Sequence, residues 1–335
     1  MDQVRIGVLG AARIVPSAVI SPARSVPQVT IAAIAARNPQ RAQAFARKHR
    51  IPKVHESYDA LIADPEIDAV YIPLPNSLHC PWTLRALEAG KHVLCEKPLA
   101  SNAQEAEEMA EAAERAGRVL MEAFHYRYHP LAVRMQEIVI SGALGTIQQI
   151  ETWMCFPLPE PGNIRYRYDL AGGATMDAGC YAINLLRMLA GTEPEVISAS
   201  ARLSSPQVDR RMTATFRLAD GAVGQMTCSM LSSTFLKIGA RVRGDQGEMR
   251  VLNPFIPRLY HRLKVRTAQG TRVEHLPGEA TYTYQLRAFA KALLEGAPVL
   301  TSAADAIANM RIIDAIYQKA GLRLRGENPS ATARA

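Results

Sequence analysis

Short apolar runs alternate with helix-like stretches along the first 125 residues. The strand-like runs are 4–9, 29–36, 53–55, 68–74, 92–95 and 119–123, and the helix-like stretches are 40–49, 81–89 and 104–116. Alternation of this kind is typical of βαβ units, in which right-handed crossovers join the strands of a parallel sheet. The pattern therefore predicts an α/β domain over residues 1–125, with ligands bound at the carboxyl ends of its strands.

The pattern changes after residue 125. Strand-like runs follow one another with little helix between them, at 145–156, 195–203, 211–217, 221–229, 238–244, 247–252 and 259–267. Turn signals at Asp220-Gly221, 245–247 and Gln269-Gly270 join neighbouring runs as antiparallel hairpins. Residues 126–325 are therefore predicted to form an α+β domain on a largely antiparallel open sheet, with one face covered by a helix that begins at Asp177. Two closing helices, around 284–294 and 303–320, and a frayed polar tail at 326–335 complete the prediction.

The turn after the first strand carries one glycine, Gly10. Ala12 and Val15 stand where the second and third glycines of a dinucleotide fingerprint would be, and Pro16 then opens a helix. A strand, turn and helix of this kind direct backbone N–H groups and a positive dipole end at a pyrophosphate. The turn predicts a dinucleotide site, although as a motif it is incomplete.

The end of the second strand bears on which dinucleotide binds. A carboxylate usually stands there to bind the adenosine ribose, but this chain has Arg37, Asn38 and, one helical turn further on, Arg41. Arginines at this position favour the 2′-phosphate of NADP(H) over NAD(H), because guanidinium and phosphate form charge-assisted hydrogen bonds. The alternative is that Arg37 and Arg41 are solvated charges at a helix start.

Two further motifs carry groups that can exchange protons. Lys97 lies at a strand end within 95–98, and Asp177 and Tyr181 lie four residues apart within 172–184, a spacing that puts them on one helix face. An ammonium beside a phenol favours the phenolate, so a tyrosine in such a setting can act as acid or base near neutral pH. The alternatives are a surface lysine, an aromatic at the edge of the core, and an acid that the helix dipole favours at an N-terminus.

Four motifs occur in order: 10–14, 74–79, 96–98 and 177–181. With them the chain resembles the glucose-fructose oxidoreductase, inositol dehydrogenase and rhizopine-catabolism (Gfo/Idh/MocA) family of NAD(P)-dependent oxidoreductases over nearly its whole length. The resemblance implies an N-terminal Rossmann domain and a C-terminal α+β domain. Tyr181 stands where the family often has histidine, and Asn184 where it often has aspartate. Tyrosine there resembles the branch with glucose-fructose oxidoreductase, dimeric dihydrodiol dehydrogenase, some xylose dehydrogenases and deoxysugar ketoreductases.

The resemblance also implies roles for single residues. Tyr181 would be the acid/base, Lys97 would hold the substrate oxygen and tune the phenol, and Asp177 would orient the pair. Hydride would pass between nicotinamide and a carbon of a sugar, ketosugar or cyclic diol. The expected cofactor-binding residues are Gly10, Ala12, Arg13, Ile14, Arg37, Asn38, Arg41, Leu74, Pro75, Asn76, His79, Glu96, Lys97 and Arg165. His79 has the alternative of capping or lining a helix, and Arg165 that of a surface charge.

The substrate and the partners are less closely defined. His125 and Arg127 follow the last strand of the first domain, with Tyr126 and Tyr128 beside them, and are candidates to line a pocket of polyol size or to pack at a domain boundary. By resemblance, Tyr284 or Tyr282 reaches the substrate. The family resemblance implies that the free face of the second sheet is an oligomer interface, and hence that the protein is a homodimer or homotetramer.

Composition agrees with a soluble enzyme. The chain has 335 residues, a formal net charge of +8 and five cysteines. An odd number of cysteines without metal-like spacing indicates reduced thiols and no metal site, and hence a cytoplasmic protein. No apolar run is long enough to span a membrane, and the first strand follows the N-terminus without room for a secretion signal. The arginines are scattered and not interleaved with aromatics, which argues against nucleic-acid binding.

Two other functions fit the sequence less well. The first is a catalytically silent dinucleotide sensor or structural subunit, against which Lys97, Asp177 and Tyr181 argue. The second is a lyase that oxidises a sugar carbon transiently with tightly held NAD, whereas Arg37 predicts exchangeable NADP(H).

Overall fold

The computed structural model describes residues 3–160 and 162–327, which form two compact units. The first unit comprises the residues up to Ala100, Gln104–Tyr128 and Glu279–Ile307. The second comprises Ser101–Ala103, His129–Gly278 and the residues from Ala308 onward. Of the predicted polar tail at 326–335, residues 328–335 lie outside the described residues. Within the described ranges, no helix is both long and apolar enough to cross a membrane.

The elements follow the order that the apolar runs predict. The strands are β1 (Val4–Leu9), β2 (Val29–Ala35), β3 (Lys53–His55), β4 (Ala69–Ile72), β5 (His92–Cys95), β6 (Leu120–Glu122), β7 (Ile147–Cys155), β8 (Glu195–Ser205), β9 (Val208–Arg217), β10 (Val223–Ser229), β11 (Lys237–Gly244), β12 (Gly247–Leu252), β13 (Arg262–Thr267) and β14 (Gly270–Glu274). The α-helices are α1 (Ser21–Ala23), α2 (Pro39–His49), α3 (Tyr58–Ile62), α4 (His79–Glu88), α5 (Ala103–Ala116), α6 (Pro130–Ile140), α7 (Cys180–Ala190), α8 (Thr281–Glu295) and α9 (Ala303–Lys319).

The first unit is built on a parallel sheet with strand order β3-β2-β1-β4-β5-β6. This confirms the predicted Rossmann-type α/β arrangement. Strand order reverses between β1 and β4, and in open α/β sheets a ligand crevice lies outside the carboxyl ends of the strands at such a point. The turn at Gly10 follows β1, and the loop that begins near Leu74 follows β4.

Helix α8 belongs to the first unit although it lies late in the chain. Leu286, Phe289 and Ala290 are buried in the same core cluster as Val4, Ile6 and other β1 residues. The sequence pattern places all of 126–325 in one domain, because it follows the order of the chain and not the contacts. The apolar face of α8 accounts for the difference, since it is buried against the first sheet's core.

The second unit is built on a sheet with strand order β14-β13-β12-β11-β7-β10-β9-β8. All neighbouring strands are antiparallel except β10 and β7, which pair in parallel. The hairpins predicted at Asp220-Gly221, 245–247 and Gln269-Gly270 are present as β9-β10, β11-β12 and β13-β14. The largely antiparallel sheet is therefore confirmed.

The two faces of this sheet differ in chemistry. Helix α7 packs against β7, β10 and β11 on the face that buries Ile150, Ala240 and Val242. Residues of β7 and β11–β13, mostly at alternate positions, line a groove of about 630 Å³ on the opposite face. This groove contains Trp153, with the Lys237 ammonium 3.6 Å from its ring centre, and the basic residues Arg241, Arg250, Arg262, Lys264 and Arg266.

Some features were not predicted from the sequence. Helix α3 was missed because it is only five residues long, and α6 was missed although its buried apolar residues have helical spacing. Strand β14 was implied only by the turn at Gln269-Gly270. The helix predicted to begin at Asp177 begins earlier, as a π-helical turn at Thr175–Gly179 that continues into α7. Asp177 therefore lies inside the first turn and does not begin the helix.

Candidate active site

The turn after β1 is shaped for close approach of a ligand. Gly10 has φ +112°, a conformation that side-chain-bearing residues rarely adopt, and a Cβ atom there would lie 3.1 Å from Leu74 Cδ2. The Gly10 N–H donates to the Ala35 carbonyl at 2.7 Å, which ties the turn to the end of β2. Among the described residues, no protein acceptor is hydrogen-bonded to the backbone N–H groups of Ala12 and Arg13. A phosphate can accept from both, so the turn fits a dinucleotide.

The three polar residues after β2 have different surroundings. Asn38 caps α2, its side-chain oxygen accepting from the Arg41 N–H at 2.8 Å. Arg41 Nη2 donates to the Ala11 carbonyl at 2.8 Å and so fixes the glycine turn. The Arg37 side chain is exposed at the strand end. Tyr58, which the sequence did not single out because α3 was missed, has its hydroxyl close enough to Gly10 that a Cβ there would lie 3.7 Å from it.

His79 connects the loops after β4 and β5. Its Nδ1 lies 2.8 Å from the Pro98 carbonyl oxygen and its Nε2 lies 2.9 Å from the Leu74 carbonyl oxygen. Burial, with a smaller effect of the Lys97 charge, lowers the pKa of His79 to about 4. The imidazole is therefore neutral near pH 7 and donates to one of the two carbonyls. Its position holds the loop that contains Pro75 and Asn76.

The motif after β5 contains one buried and one half-buried charged residue. Glu96 is buried, and the Tyr71 hydroxyl donates to Glu96 Oε1 at 2.7 Å. Lys97 is half-buried and precedes Pro98 through a cis peptide bond. Tyr71 belongs to the apolar run of β4, where nothing in the sequence marks it as a partner of Glu96. The end of β5 thus carries the Lys97 ammonium next to Glu96, and the Tyr71 hydroxyl fixes the position of Glu96.

The residues proposed for substrate contact separate into two groups in the first unit. His125 is buried with its ring centre 4.0 Å from that of Tyr282, and burial lowers the pKa of His125 to about 3. Burial, with the nearby Glu96 charge, raises the pKa of Tyr282. By contrast, Arg127 forms an ion pair with Asp305 at 3.5 Å, and the Tyr284 hydroxyl accepts from the Glu279 N–H at 3.3 Å. Of the two tyrosines considered, Tyr282 is therefore the one beside His125.

The second unit brings three predicted residues together. Arg165 Nε lies 2.8 Å from Asp177 Oδ2, and the Asp177 charge raises the pKa of Arg165, with a smaller contribution from Tyr181. Tyr181 is buried, and its ring centre lies 5.0 Å from that of Phe255. Asn184 is fully buried on α7. A carboxylate and a phenol therefore lie along the first turns of one helix, and a guanidinium from the preceding segment pairs with the carboxylate.

Comparison with known proteins relates the chain to a family of oxidoreductases. Residues 4–124 match a family described as oxidoreductases with an NAD-binding Rossmann fold, and residues 132–250 match the Gfo/Idh/MocA C-terminal domain. The chain is 38% identical over 318 residues to a D-xylose 1-dehydrogenase (NADP(+)) of Haloferax volcanii, covering 94% of this chain and 96% of the relative. It is 35% identical over 228 residues to trans-1,2-dihydrobenzene-1,2-diol dehydrogenase of Mus musculus, covering 68% of each chain.

Among solved structures, the chain is similar to a 3-ketoreductase from Actinomadura kijaniata in complex with NADP and TDP-benzene. The TM-score is 0.88 at 30% sequence identity, covering 95% of this chain and 98% of the ketoreductase. The motifs, the two folds and these matches lead to one conclusion: the chain belongs to the Gfo/Idh/MocA family of NAD(P)-dependent oxidoreductases.

Proposed function

We propose that the protein is an NADP(H)-dependent oxidoreductase that transfers hydride between nicotinamide and a carbon–oxygen group of a sugar, ketosugar or cyclic diol, with Tyr181 as acid/base. The observation that carries this proposal is the group formed by Arg165, Asp177 and Tyr181 at the start of α7. It contains a phenol that can exchange a proton and a guanidinium–carboxylate pair beside it.

Tyr181 requires an ionised form that is accessible near neutral pH. A positive charge near a phenol favours the phenolate. Arg165 supplies such a charge within the second unit, and the Asp177 carboxylate paired with it offsets part of that effect. Asp177 holds the Arg165 guanidinium at 2.8 Å and thereby fixes where that charge lies. In the oxidation direction Tyr181 takes the proton of the substrate hydroxyl, and in the reduction direction it gives a proton to the carbonyl oxygen.

The first unit supplies the binding of the cofactor and a second positive charge. When bound, the nicotinamide supplies or accepts the hydride. We assign the pyrophosphate to the turn that contains Gly10, Ala12, Arg13 and Ile14, because that turn combines a glycine at positive φ with N–H groups that can donate. Lys97 binds the reacting oxygen of the substrate, and Glu96 and Tyr71 hold the strand end from which Lys97 projects.

The preference for NADP(H) follows from the end of β2. Arg37 is exposed there, in place of the carboxylate that would accept from the ribose hydroxyls of NAD(H). A xylose dehydrogenase relative is named for NADP(+), and the 3-ketoreductase structure contains NADP, which supports the same preference. The relatives act on a pentose, a deoxysugar derivative or a cyclic diol by name, which supports a small polyhydroxylated substrate.

We also propose that two or four copies assemble through the open face of the second sheet. The groove on this face combines Trp153 with the half-exposed Leu252, and such apolar surface favours burial against another copy. Many basic side chains also line the groove, so salt that screens their repulsion is expected to strengthen the assembly. Sedimentation of wild-type protein and of Leu252→Lys tests this, with Ile140→Lys, on an exposed site of α6, as the matched control. Leu252→Lys adds a further positive charge to the groove and should shift the protein towards the monomer, whereas Ile140→Lys should not.

The first experiment is a fluorescence titration of the purified protein with NADPH and NADH, followed by absorbance assays with aldoses, ketosugars and cyclic diols. We expect tighter binding of NADPH than of NADH and turnover with a polyhydroxylated substrate. Binding without turnover on any such compound would favour the sensor function. Release of NAD from the denatured protein, with no net reduction during turnover, would favour the lyase.

A further inference from the structure

A buried ion pair lies beneath the start of the helix that carries Asp177 and Tyr181. Asp209 on β9 and Arg325 near the end of the described chain are both fully buried, and Arg325 Nη2 lies 3.1 Å from Asp209 Oδ1. Taking two charges out of water costs free energy that their attraction often does not recover. A buried pair is therefore weak evidence for stability, and its contacts indicate what else it does.

Asp209 caps the first turn of this helix from another element. The N–H and the hydroxyl of Thr175 both donate to Asp209 Oδ2, each at 2.7 Å. Thr175 begins the π-helical turn, and the residue before it, Ala174, has no side-chain acceptor of its own. A carboxylate at a helix N-terminus also interacts favourably with the helix dipole. Asp209 thus fixes both the position and the direction of the turn that contains Asp177.

Arg325 holds the preceding glycine turn. Its Nε donates to the Gly172 carbonyl at 2.7 Å, and its guanidinium carbon lies 4.1 Å from the ring centre of Tyr317. The Tyr317 hydroxyl donates to Asp209 Oδ1 at 3.0 Å, and burial next to this carboxylate raises the pKa of Tyr317, which keeps the phenol protonated. Gly173 has φ +136°, and a Cβ there would lie 2.2 Å from Asp209 Oδ1. Only glycine allows the turn to approach the ion pair this closely.

The same turn is connected to the proton-exchanging group. The Gly173 N–H donates to the Arg165 carbonyl at 2.8 Å, and the Asp177 N–H donates to the Gly173 carbonyl at 3.0 Å. The Arg165 side chain then pairs with Asp177 at 2.8 Å. A displacement of Gly172–Gly173 would therefore move Arg165 and Asp177 together, and with them the charges that surround Tyr181.

We propose that Asp209 and Arg325, with Tyr317, are positioning residues that hold Arg165 and Asp177 in register with Tyr181. The proposal rests on the proposed function, since it assumes that Tyr181 exchanges the proton. None of the three positioning residues is assigned contact with substrate or cofactor. They act through the Gly172–Thr175 backbone.

The test compares purified Asp209→Asn and Tyr317→Phe with wild type and with Glu274→Gln. The Glu274 control breaks a different ion pair of the second unit, with Arg134 at 2.6 Å, by the same carboxylate-to-amide change. Thermal melts and circular dichroism establish that each variant is folded. Steady-state kinetics then give kcat, KM, the pH dependence of kcat/KM, and the NADPH dissociation constant.

For Asp209→Asn we expect kcat to fall about 10²-fold, because small misplacements of catalytic groups have effects of that order. The apparent pKa that governs kcat/KM should shift as the Arg165–Asp177 pair moves relative to Tyr181, with NADPH affinity unchanged. Tyr317→Phe removes one hydrogen bond and keeps the ring, so a roughly tenfold loss is expected. If Asp209→Asn does not fold, Tyr317→Phe still tests the proposal.

Two results would overturn the proposal. The first is a folded Asp209→Asn or Tyr317→Phe protein with wild-type kcat and pH profile. The second is an equal loss of kcat in Glu274→Gln, which would mean that any weakened ion pair of the unit has this effect. Tyr181→Phe separates the two levels of inference. If Tyr181→Phe keeps wild-type turnover, the proposed function is wrong and the positioning role falls with it. If Tyr181→Phe loses turnover, the Asp209→Asn and Tyr317→Phe variants test the positioning role alone.

Discussion

Tyr181 has groups around it that affect both its charge and its orientation. Arg165 and Asp177 provide a fixed ion pair on one side, and the ring of Phe255 packs against the phenol ring at 5.0 Å. The apolar Phe255 ring restricts the Tyr181 ring through packing, whereas the ionisation of the phenol depends on the nearby charged groups. The proposed chemistry therefore belongs to the phenol hydroxyl, and the ring serves to hold it in place.

Replacing Tyr181 by Phe tests its role at the level of one oxygen atom. We expect Tyr181→Phe to lower kcat by about 10²- to 10⁴-fold, the range for loss of a general acid/base. Lys97→Met should also lower kcat by orders of magnitude, because both residues act in the transition state and not in cofactor capture. Stopped-flow kinetics with NADPH fluorescence distinguish a slower chemical step from weaker binding of NADPH. Tyr260→Phe, on an exposed tyrosine, is the control, and wild-type turnover by Tyr181→Phe would contradict the assignment.

Arg37 is the residue by which the proposed enzyme selects NADP(H) over NAD(H). Arg37→Asp is expected to weaken NADPH binding by about 1.5–3 kcal/mol, the range for hydrogen bonds to charged groups, with little change for NADH. Isothermal titration with both cofactors measures this. Arg47→Asp, at the other end of α2, makes the same charge change away from the strand end. An equal loss of NADPH and NADH affinity would remove the basis for the NADP(H) preference.

At the level of elements, strand ends and turns are joined by specific side chains. His79 links the loops after β4 and β5, and Arg41 links α2 to the turn after β1. Gly10 suits this turn, since side-chain-bearing residues rarely adopt its φ of +112° and an added Cβ atom would lie 3.1 Å from the Leu74 side chain. The carboxyl edge of the first sheet is thus one connected structure.

Gly10→Ala tests the turn as an element. The backbone strain should lower stability by about 1–2 kcal/mol, and the added methyl group should displace the turn and weaken NADPH binding. Gly142→Ala is the matched control, because Gly142 has φ +71° and an added methyl group there would meet nothing within 4 Å. Differential scanning fluorimetry with and without NADPH should show lower melting temperatures for both, but a reduced NADPH-induced increase for Gly10→Ala alone.

At the level of the whole molecule, buried neutral histidines couple folding to pH. Burial lowers the pKa of His79 to about 4, of His125 to about 3 and of His129 to about 4. In the unfolded chain a histidine titrates near 6.5. Between these values the unfolded state binds more protons than the folded state, so stability is complete above about pH 6.5 and falls as pH is lowered towards 4.

Urea unfolding at pH 7, 6, 5 and 4 measures this dependence. Each such histidine contributes a slope of at most about 1.4 kcal/mol per pH unit. His129 caps α6, with its Nδ1 accepting from the Leu131 N–H at 3.1 Å, and asparagine can make the same cap without titrating. His129→Asn should therefore fold with a shallower pH dependence than wild type. An unchanged slope would show that His129 does not stay neutral in the folded protein.

The sequence alone determined most of the elements and the family. Apolar periodicity located most strands of both sheets, and Glu96-Lys97-Pro98 with the Asp177–Tyr181 motif indicated the family, because both signals lie within a few neighbouring residues. Tertiary structure decided which distant residues meet. It paired Arg165 with Asp177, placed Tyr282 beside His125, packed α8 into the first unit and buried Arg325 against Asp209. Local patterns report which face of an element is buried, whereas these pairings join different elements of the chain, such as α8 and β1, and depend on how the whole chain is folded.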